Sequence, residues 1–172
     1  MIKIKSYENF PLHIPFIAIF VSIIIYSIGA VILSGFGTVF SILYLFYCLG
    51  VELMVILRSC KDCWYYGKIC GLGKGKIAPL FVRKGDTKKF AERNISMIHM
   101  IPDFLVVILP LSGGVILLLL DFSILVLSLM VILIVLFFGG TAFIRGTFAC
   151  KNCKQKDIGC PAYDIFNKKK EK

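Results

Sequence analysis

Residues 104–144 read FLVVILPLSGGVILLLLDFSILVLSLMVILIVLFFGGTAFI, and Asp121 is the one charged side chain among them. A single helix of that length would extend about 60 Å, twice the roughly 30 Å hydrocarbon core of a bilayer. The acid near the middle therefore marks a turn between two spans, residues 104–120 and 122–144. The first is short and contains Pro110 and the pair Gly113-Gly114, so a kink or local irregularity is expected there.

The same pattern stands at the other end of the chain. Residues 14–33 carry no charge, residues 39–57 are interrupted only by Glu52, and Ser34-Gly35-Phe36-Gly37-Thr38 supplies a glycine-bearing reversal between them. The first run lacks a small-residue cleavage site and reads as a retained anchor. With 58% hydrophobic and only 17% charged residues in 172, the composition is too apolar for an ordinary soluble domain. The expected fold is an all-α membrane protein with four transmembrane helices, residues 1–172 forming one membrane domain.

Orientation follows from the basic residues, 20 in all. Lys3 and Lys5 precede the first span, ten lie from Arg58 to Arg93, and eight lie from Arg145 onward; the two short turns hold none. Positive residues are retained on the cytoplasmic side, so both termini are expected in the cytoplasm of a plasma-membrane protein. The lipid bilayer is the expected partner, its anionic headgroups meeting the Lys and Arg residues. A membrane-protein partner is a further expectation, and nucleic acid is not expected.

Six of the seven cysteines form two sets, Cys60, Cys63, Cys70 and Cys150, Cys153, Cys160. Both read C-x2-C-x6-C, the second set lies 90 residues after the first, and each follows the second helix of a hairpin. Shifting the first hairpin by the same amount lays it over the second. The expected organisation is two tandem repeated hairpins, each followed by a cytoplasmic cysteine loop: residues 12–70, a basic connector with an interfacial helix at 71–101, residues 102–160, and a basic tail at 161–172. Each unit has an even number of spans, so both loops fall on one face.

The cytosol disfavours structural disulfides, and C-x2-C with a third nearby cysteine is metal-ligand spacing. A two-residue gap lets both thiolates face one ion while backbone amides stabilise the sulfur charge. Zinc is the favoured ion; an iron–sulfur cluster is the alternative, with Cys160-Pro161 as its one sequence cue. Three cysteines per set leave each site one ligand short. The sets can combine, two ions sharing six thiolates, or each can recruit a fourth ligand. The candidates for the latter are the two histidines, His13 and His99, each just before an odd-numbered span.

The cysteine spacing resembles that of the fungal binuclear zinc-cluster family, whose motif is two C-x2-C-x6-C halves. The resemblance covers Cys60, Cys63, Cys70, Cys150, Cys153 and Cys160 alone. It implies that six thiolates so spaced can hold two zinc ions, two of the sulfurs bridging. In that family a short loop joins the halves; here a membrane hairpin separates them, and the family's use in DNA binding does not transfer.

Glu52 lies inside the second span with Cys48 one turn earlier on the same face, a possible intramembrane polar site. Gly71-Leu72-Gly73-Lys74-Gly75-Lys76 lacks the spacing and hydroxyl of a nucleotide-binding loop and reads as a flexible basic connector. Asp86 to Met100 carries one apolar stripe, with Asp86 placed to cap an interfacial helix. Trp64, Tyr65 and Tyr66 are expected to settle the first loop at the headgroup level. No catalytic constellation is visible. The functional expectation is a membrane scaffold, sensor or accessory subunit with a cytoplasmic structural zinc site. The alternatives are an electron-transfer or thiol-redox protein using iron–sulfur, and a small metal-ion carrier.

Overall fold

A computed structural model describes residues 6–91 and 100–160. Four helices are long and apolar enough to cross a membrane. α1 runs His13–Leu33 and α2 runs Thr38–Arg58, joined by a 3-10 turn at Ser34–Phe36 and by Gly37 at φ +119°. That positive φ is open to glycine and strained for other residues. Two short helices follow, α3 Ala78–Phe81 and α4 Thr87–Ala91. The third long helix, α5, runs Ile101–Leu120.

α6, Ile124–Ile134, continues through a π-helical stretch Val135–Gly140, α7 Thr141–Phe143 and a second π-helical stretch Ile144–Ala149. α8 is Gln155–Ile158. The described residues contain no named strand. The fourth span is thus longer than the sequence predicts, because the helix passes Ile144 and reaches the residue before Cys150. Asp86 caps α4 as expected, its Oδ1 accepting the Lys88 N–H at 3.0 Å. The remainder of the predicted interfacial helix, residues 92–99, and the basic tail at 161–172 lie outside the described residues.

The chain divides into two compact units. One takes its described residues from 20–52 and 100–141, and its core is Ile25, Ile32, Tyr44, Cys48, Val51, Val106, Val107 and Leu133. Its helices approach closely at small residues. A Cβ on Gly114 would lie 2.6 Å from Met130 Sδ, and one on Gly113 would lie 2.8 Å from Leu33 Cδ2. Such close approach is how spans associate where lipid is as apolar as leucine.

The kink expected at Pro110 does not break α5. Proline lacks the N–H that would bond the Val106 carbonyl four residues back. Tyr44 supplies the missing donor, its hydroxyl reaching the Val106 oxygen at 2.8 Å, and Tyr47 donates likewise to the Pro102 oxygen at 2.9 Å. A backbone group freed in a dry setting is thereby satisfied from a neighbouring helix.

The second unit takes its described residues from 6–19, 53–91 and 142–160. It holds all six motif cysteines. Its core is Phe10, Ile14 and Tyr65, with Cys63, Trp64, Ile69, Cys70 and Cys153 packed against it.

Candidate metal centre

The two C-x2-C segments adopt one local geometry. In the first, the Cys63 N–H bonds the Cys60 carbonyl at 3.3 Å, and the Tyr66 N–H bonds the Cys63 carbonyl at 3.0 Å. In the second, the Cys153 N–H bonds the Cys150 carbonyl at 3.3 Å, and the Lys156 N–H bonds the Cys153 carbonyl at 3.3 Å. A turn of this kind aims the next amides back at the middle sulfur. The Tyr65 N–H donates to the Cys63 sulfur, and the Gln155 N–H donates to the Cys153 sulfur. A third sulfur is served similarly, the Gly75 N–H lying 3.2 Å from Cys70 Sγ.

The two segments also bond to one another, reciprocally. The Tyr65 hydroxyl accepts the Lys154 N–H at 3.1 Å, and the Gln155 side-chain oxygen accepts the Trp64 N–H at 2.8 Å. Tyr65 and Gln155 both stand two residues after a middle cysteine, and Trp64 and Lys154 both stand one after. Each loop thus sends a side chain to the same backbone position of the other. Tyr65 is 1% exposed, and so is Gln155. The Tyr65 hydroxyl also donates to the Tyr7 carbonyl. The N-terminal segment closes the cluster: the Tyr7 N–H bonds the Asn152 carbonyl at 2.9 Å, and the Phe10 N–H bonds the Ile69 carbonyl at 3.0 Å. Over the other face of the loop the Lys68 and Lys154 ammonium groups lie 3.6 and 4.6 Å from the Trp64 ring centre. Lys154 is paired with Glu8 at 3.0 Å.

The Cys63 thiol is pushed up to about 12, chiefly by burial, with the Tyr65 amide opposing and the Cys70, Cys60 and Cys160 sulfurs adding. Burial likewise pushes Cys153 up to about 12, with Cys63, Cys160 and Cys150 adding and the Gln155 amide opposing. Sulfurs of both loops therefore act on each middle cysteine. A proton on each thiol, or a metal ion on the thiolates, would remove the repulsion that the charged sulfurs would exert. The sign of the pH effect is plain. Between the ordinary thiol value of 9.0 and about 12 the unfolded chain releases protons that the folded loops keep, so rising pH disfavours the metal-free fold in that window. Alkylation of Cys63 and Cys153 in metal-free protein is expected to be slow at pH 8. It should quicken about tenfold per pH unit as thiolate forms. A rate that levels off near pH 9 would show thiols of ordinary acidity.

No three His, Cys, Asp or Glu side chains among the described residues stand close enough together to hold one ion. None of the seven cysteines is in a disulfide. Cys63, Cys70 and Cys153 thus pack against one aromatic core, and the described thiols are not gathered to ligating distance. The donor set fits a soft tetrahedral ion in its chemistry and in its sulfur-directed amides.

The other sequence candidates fall elsewhere. His13 is exposed at the start of α1 and lines a small apolar pocket with Ile14, Ile17, Ile144 and Phe148. His99 lies outside the described residues. Glu52 and Cys48 belong to the other unit, where the Tyr26 hydroxyl donates to the Glu52 carboxylate and Cys48 is buried beside Tyr44.

Sequence reasoning misses Gln155 and Gly75, and it reads Tyr65 as a headgroup anchor where the structure buries it between the loops. Tyr65 and Gln155 could have been found as the same position of the two cysteine sets. Gly75 belongs to the stretch read as a flexible connector, yet that stretch is tightly packed. A Cβ on Gly75 would lie 2.4 Å from the Tyr65 oxygen and 2.6 Å from the Lys68 oxygen, both backbone atoms that cannot swing away. Gly75→Ala is therefore expected to open the first loop and break the 2.9 Å bond from the Gly67 N–H to the Gly75 carbonyl. The measurement is thiol labelling, with faster modification of Cys63 and Cys70 expected in the variant.

Comparison with protein-family models, curated proteins and solved structures gives no match.

Proposed function

We propose that this chain is a multi-pass protein of the plasma membrane whose six cytoplasmic cysteines bind metal, zinc before iron–sulfur, in one composite site. Both termini face the cytoplasm, and the chain is a duplicated unit of helical hairpin plus cysteine loop. The metal is structural. It staples the two loops, and through them the two halves of a scaffold, sensor or accessory subunit.

The observation that carries this reading is the reciprocal pair of hydrogen bonds between the loops, Tyr65 to Lys154 and Gln155 to Trp64. Two copies of one loop facing each other across an approximate twofold axis make such a pair; two unrelated loops have no reason to. The amides on Cys63 and Cys153 supply what a thiolate ligand needs, and a bound ion would offset the repulsion between thiolates of the two loops. Ion binding draws the thiols together around the Tyr65 core, which couples metal affinity to closure of both loops. Cys60, Cys63, Cys70, Cys150, Cys153 and Cys160 are the ligands. Six of them satisfy two tetrahedral ions when two sulfurs bridge, with no need of His13 or His99.

Metal analysis of protein purified anaerobically tests the proposal. Colourless protein with about two zinc ions per chain supports the staple; a brown chromophore supports the cluster; metal-free protein that folds normally overturns both. Orientation is tested with a membrane-impermeant thiol reagent. Labelling is expected only from the cytoplasmic side and only after chelation, and ready labelling from outside overturns the topology. A carrier built on Glu52 and Cys48 predicts that Glu52→Gln abolishes metal uptake into vesicles. The staple predicts unchanged metal content in that variant, because Tyr26 can donate to an amide oxygen as to a carboxylate.

A further inference from the structure

The chain between the two pairs of spans carries an apolar projection that the metal reading leaves unused. In α3 and the residue before it, Leu80 is 81% exposed, Phe81 53% and Ile77 43%. Lys74 and Lys76 precede them, Arg83 and Lys84 follow, and no acidic residue lies between Lys74 and Lys84. Large apolar side chains are not ordinarily presented to water as a group with cations on both sides. That arrangement fits a leaflet bearing negative headgroups, where side chains such as Phe and Leu settle at the acyl boundary and Lys and Arg meet the phosphates.

The projection is built rather than loose. Ala78 is fully buried beneath it. The Leu80 N–H bonds the Ile77 carbonyl and the Val82 N–H bonds the Ala78 carbonyl, each at 3.0 Å. The Tyr66 hydroxyl clamps the far side by donating to the Val82 carbonyl at 2.6 Å. Beyond that, the Gly85 N–H bonds the Lys61 carbonyl at 2.8 Å, and a Cβ on Gly85 would strike the buried Asp62 carboxylate. On the near side the Gly75 N–H is held by Cys70. Residues of the first cysteine loop therefore fix both ends of the segment, and Ile77, Leu80 and Phe81 project from a braced turn.

We propose that Ile77, Leu80 and Phe81 insert into the headgroup–acyl boundary of an anionic leaflet, with Lys74, Lys76, Arg83 and Lys84 on its headgroups. This rests on the membrane reading above and is independent of the metal. Three projecting side chains offer far less than the roughly 800 Å² per partner of a stable protein interface. The flanking cations have no acids among them to pair with a mixed-charge protein surface. A bilayer asks only for apolar depth and positive charge, and the segment supplies both. The contact would brace the first cysteine loop against the membrane surface.

The test uses the full-length protein in bilayer nanodiscs, with Leu80→Trp read against the Trp64 background of the unmodified chain. In phosphatidylglycerol-containing discs the added emission is expected to be blue-shifted and quenched by lipids brominated near the headgroup. It should be shielded from acrylamide. In purely zwitterionic discs, or when Lys76→Gln, Arg83→Gln and Lys84→Gln are combined with Leu80→Trp, the lipid quenching should fall, the insertion equilibrium constant dropping about fivefold for each charge removed in the variant. Emission quenched by acrylamide and untouched by brominated anionic lipid overturns the proposal. Shielding that persists in detergent without anionic lipid, with a shift to dimer on sizing, assigns the surface to a second copy and overturns it as well. Extraction of the protein from membranes by alkaline carbonate would instead show that the membrane reading itself has failed.

Discussion

Cys153→Ser is expected to strip the purified protein of its metal, both ions together, and Cys63→Ser is expected to do the same. Each middle cysteine is affected by sulfurs of both sets, Cys63 by Cys160 and Cys153 by Cys63. A composite site therefore loses a shared ligand in either variant. Structural zinc sites bind with about 10–16 kcal/mol, so one thiolate of four carries on the order of 3 kcal/mol, about a hundredfold in affinity. Serine does not replace it, being a harder donor that stays protonated. Cys48→Ser is the control, since Cys48 belongs to the other unit and should leave metal content unchanged. Metal analysis by mass spectrometry of native protein reads all three. Loss of a single ion in each variant would divide the site into two independent ones. Unchanged metal in both would remove the loops from metal binding altogether.

Gly29→Val is expected to destabilise the chain by about 2–4 kcal/mol, the sum of overpacking and one lost interhelical hydrogen bond. A Cβ on Gly29 would lie 2.4 Å from the Tyr44 hydroxyl oxygen and 2.7 Å from the ring carbon that bears it. The ring must then move, and with it goes the 2.8 Å bond to the Val106 carbonyl that Pro110 leaves without its usual donor. Tyr44→Phe removes the hydroxyl alone and is expected to cost about 1 kcal/mol. The penalty of Gly29→Val should shrink in a Tyr44→Ala background, where the room exists. Unfolding in detergent or bilayer measures each free energy. A penalty of the same size in both backgrounds would show that the glycine is not there to admit the tyrosine.

Much of the fold is legible in the residues because hydropathy is local. The absence of charge from residues 14–33 and its near absence from 39–57 and 104–144 place four helices within a few residues of their ends. The departures have local causes. α5 begins at Ile101, three residues earlier than the apolar run, because Pro102 suits a first helical turn and Asp103 favours it. The fourth span outlasts its apolar run through π-helical turns, a geometry no hydropathy pattern encodes. α5 runs unbroken through Pro110, and the donor that replaces its N–H comes from Tyr44, far away in the chain.

The candidate centre divides in the same way. Spacing alone named the six cysteines, since two residues between thiols is a property of the chain and not of its folding. Their arrangement was not legible: the reciprocal bonds of Tyr65 and Gln155 and the Tyr7 and Phe10 segment laid against the loops all join residues distant in sequence. The sequence by itself determined the number of apolar helices and the identity and spacing of the thiols, because both depend on side chains read in order. Only the tertiary structure decided that the two cysteine sets share one core and exchange hydrogen bonds, because a buried polar group takes its partner from whatever packing brings within about 3 Å.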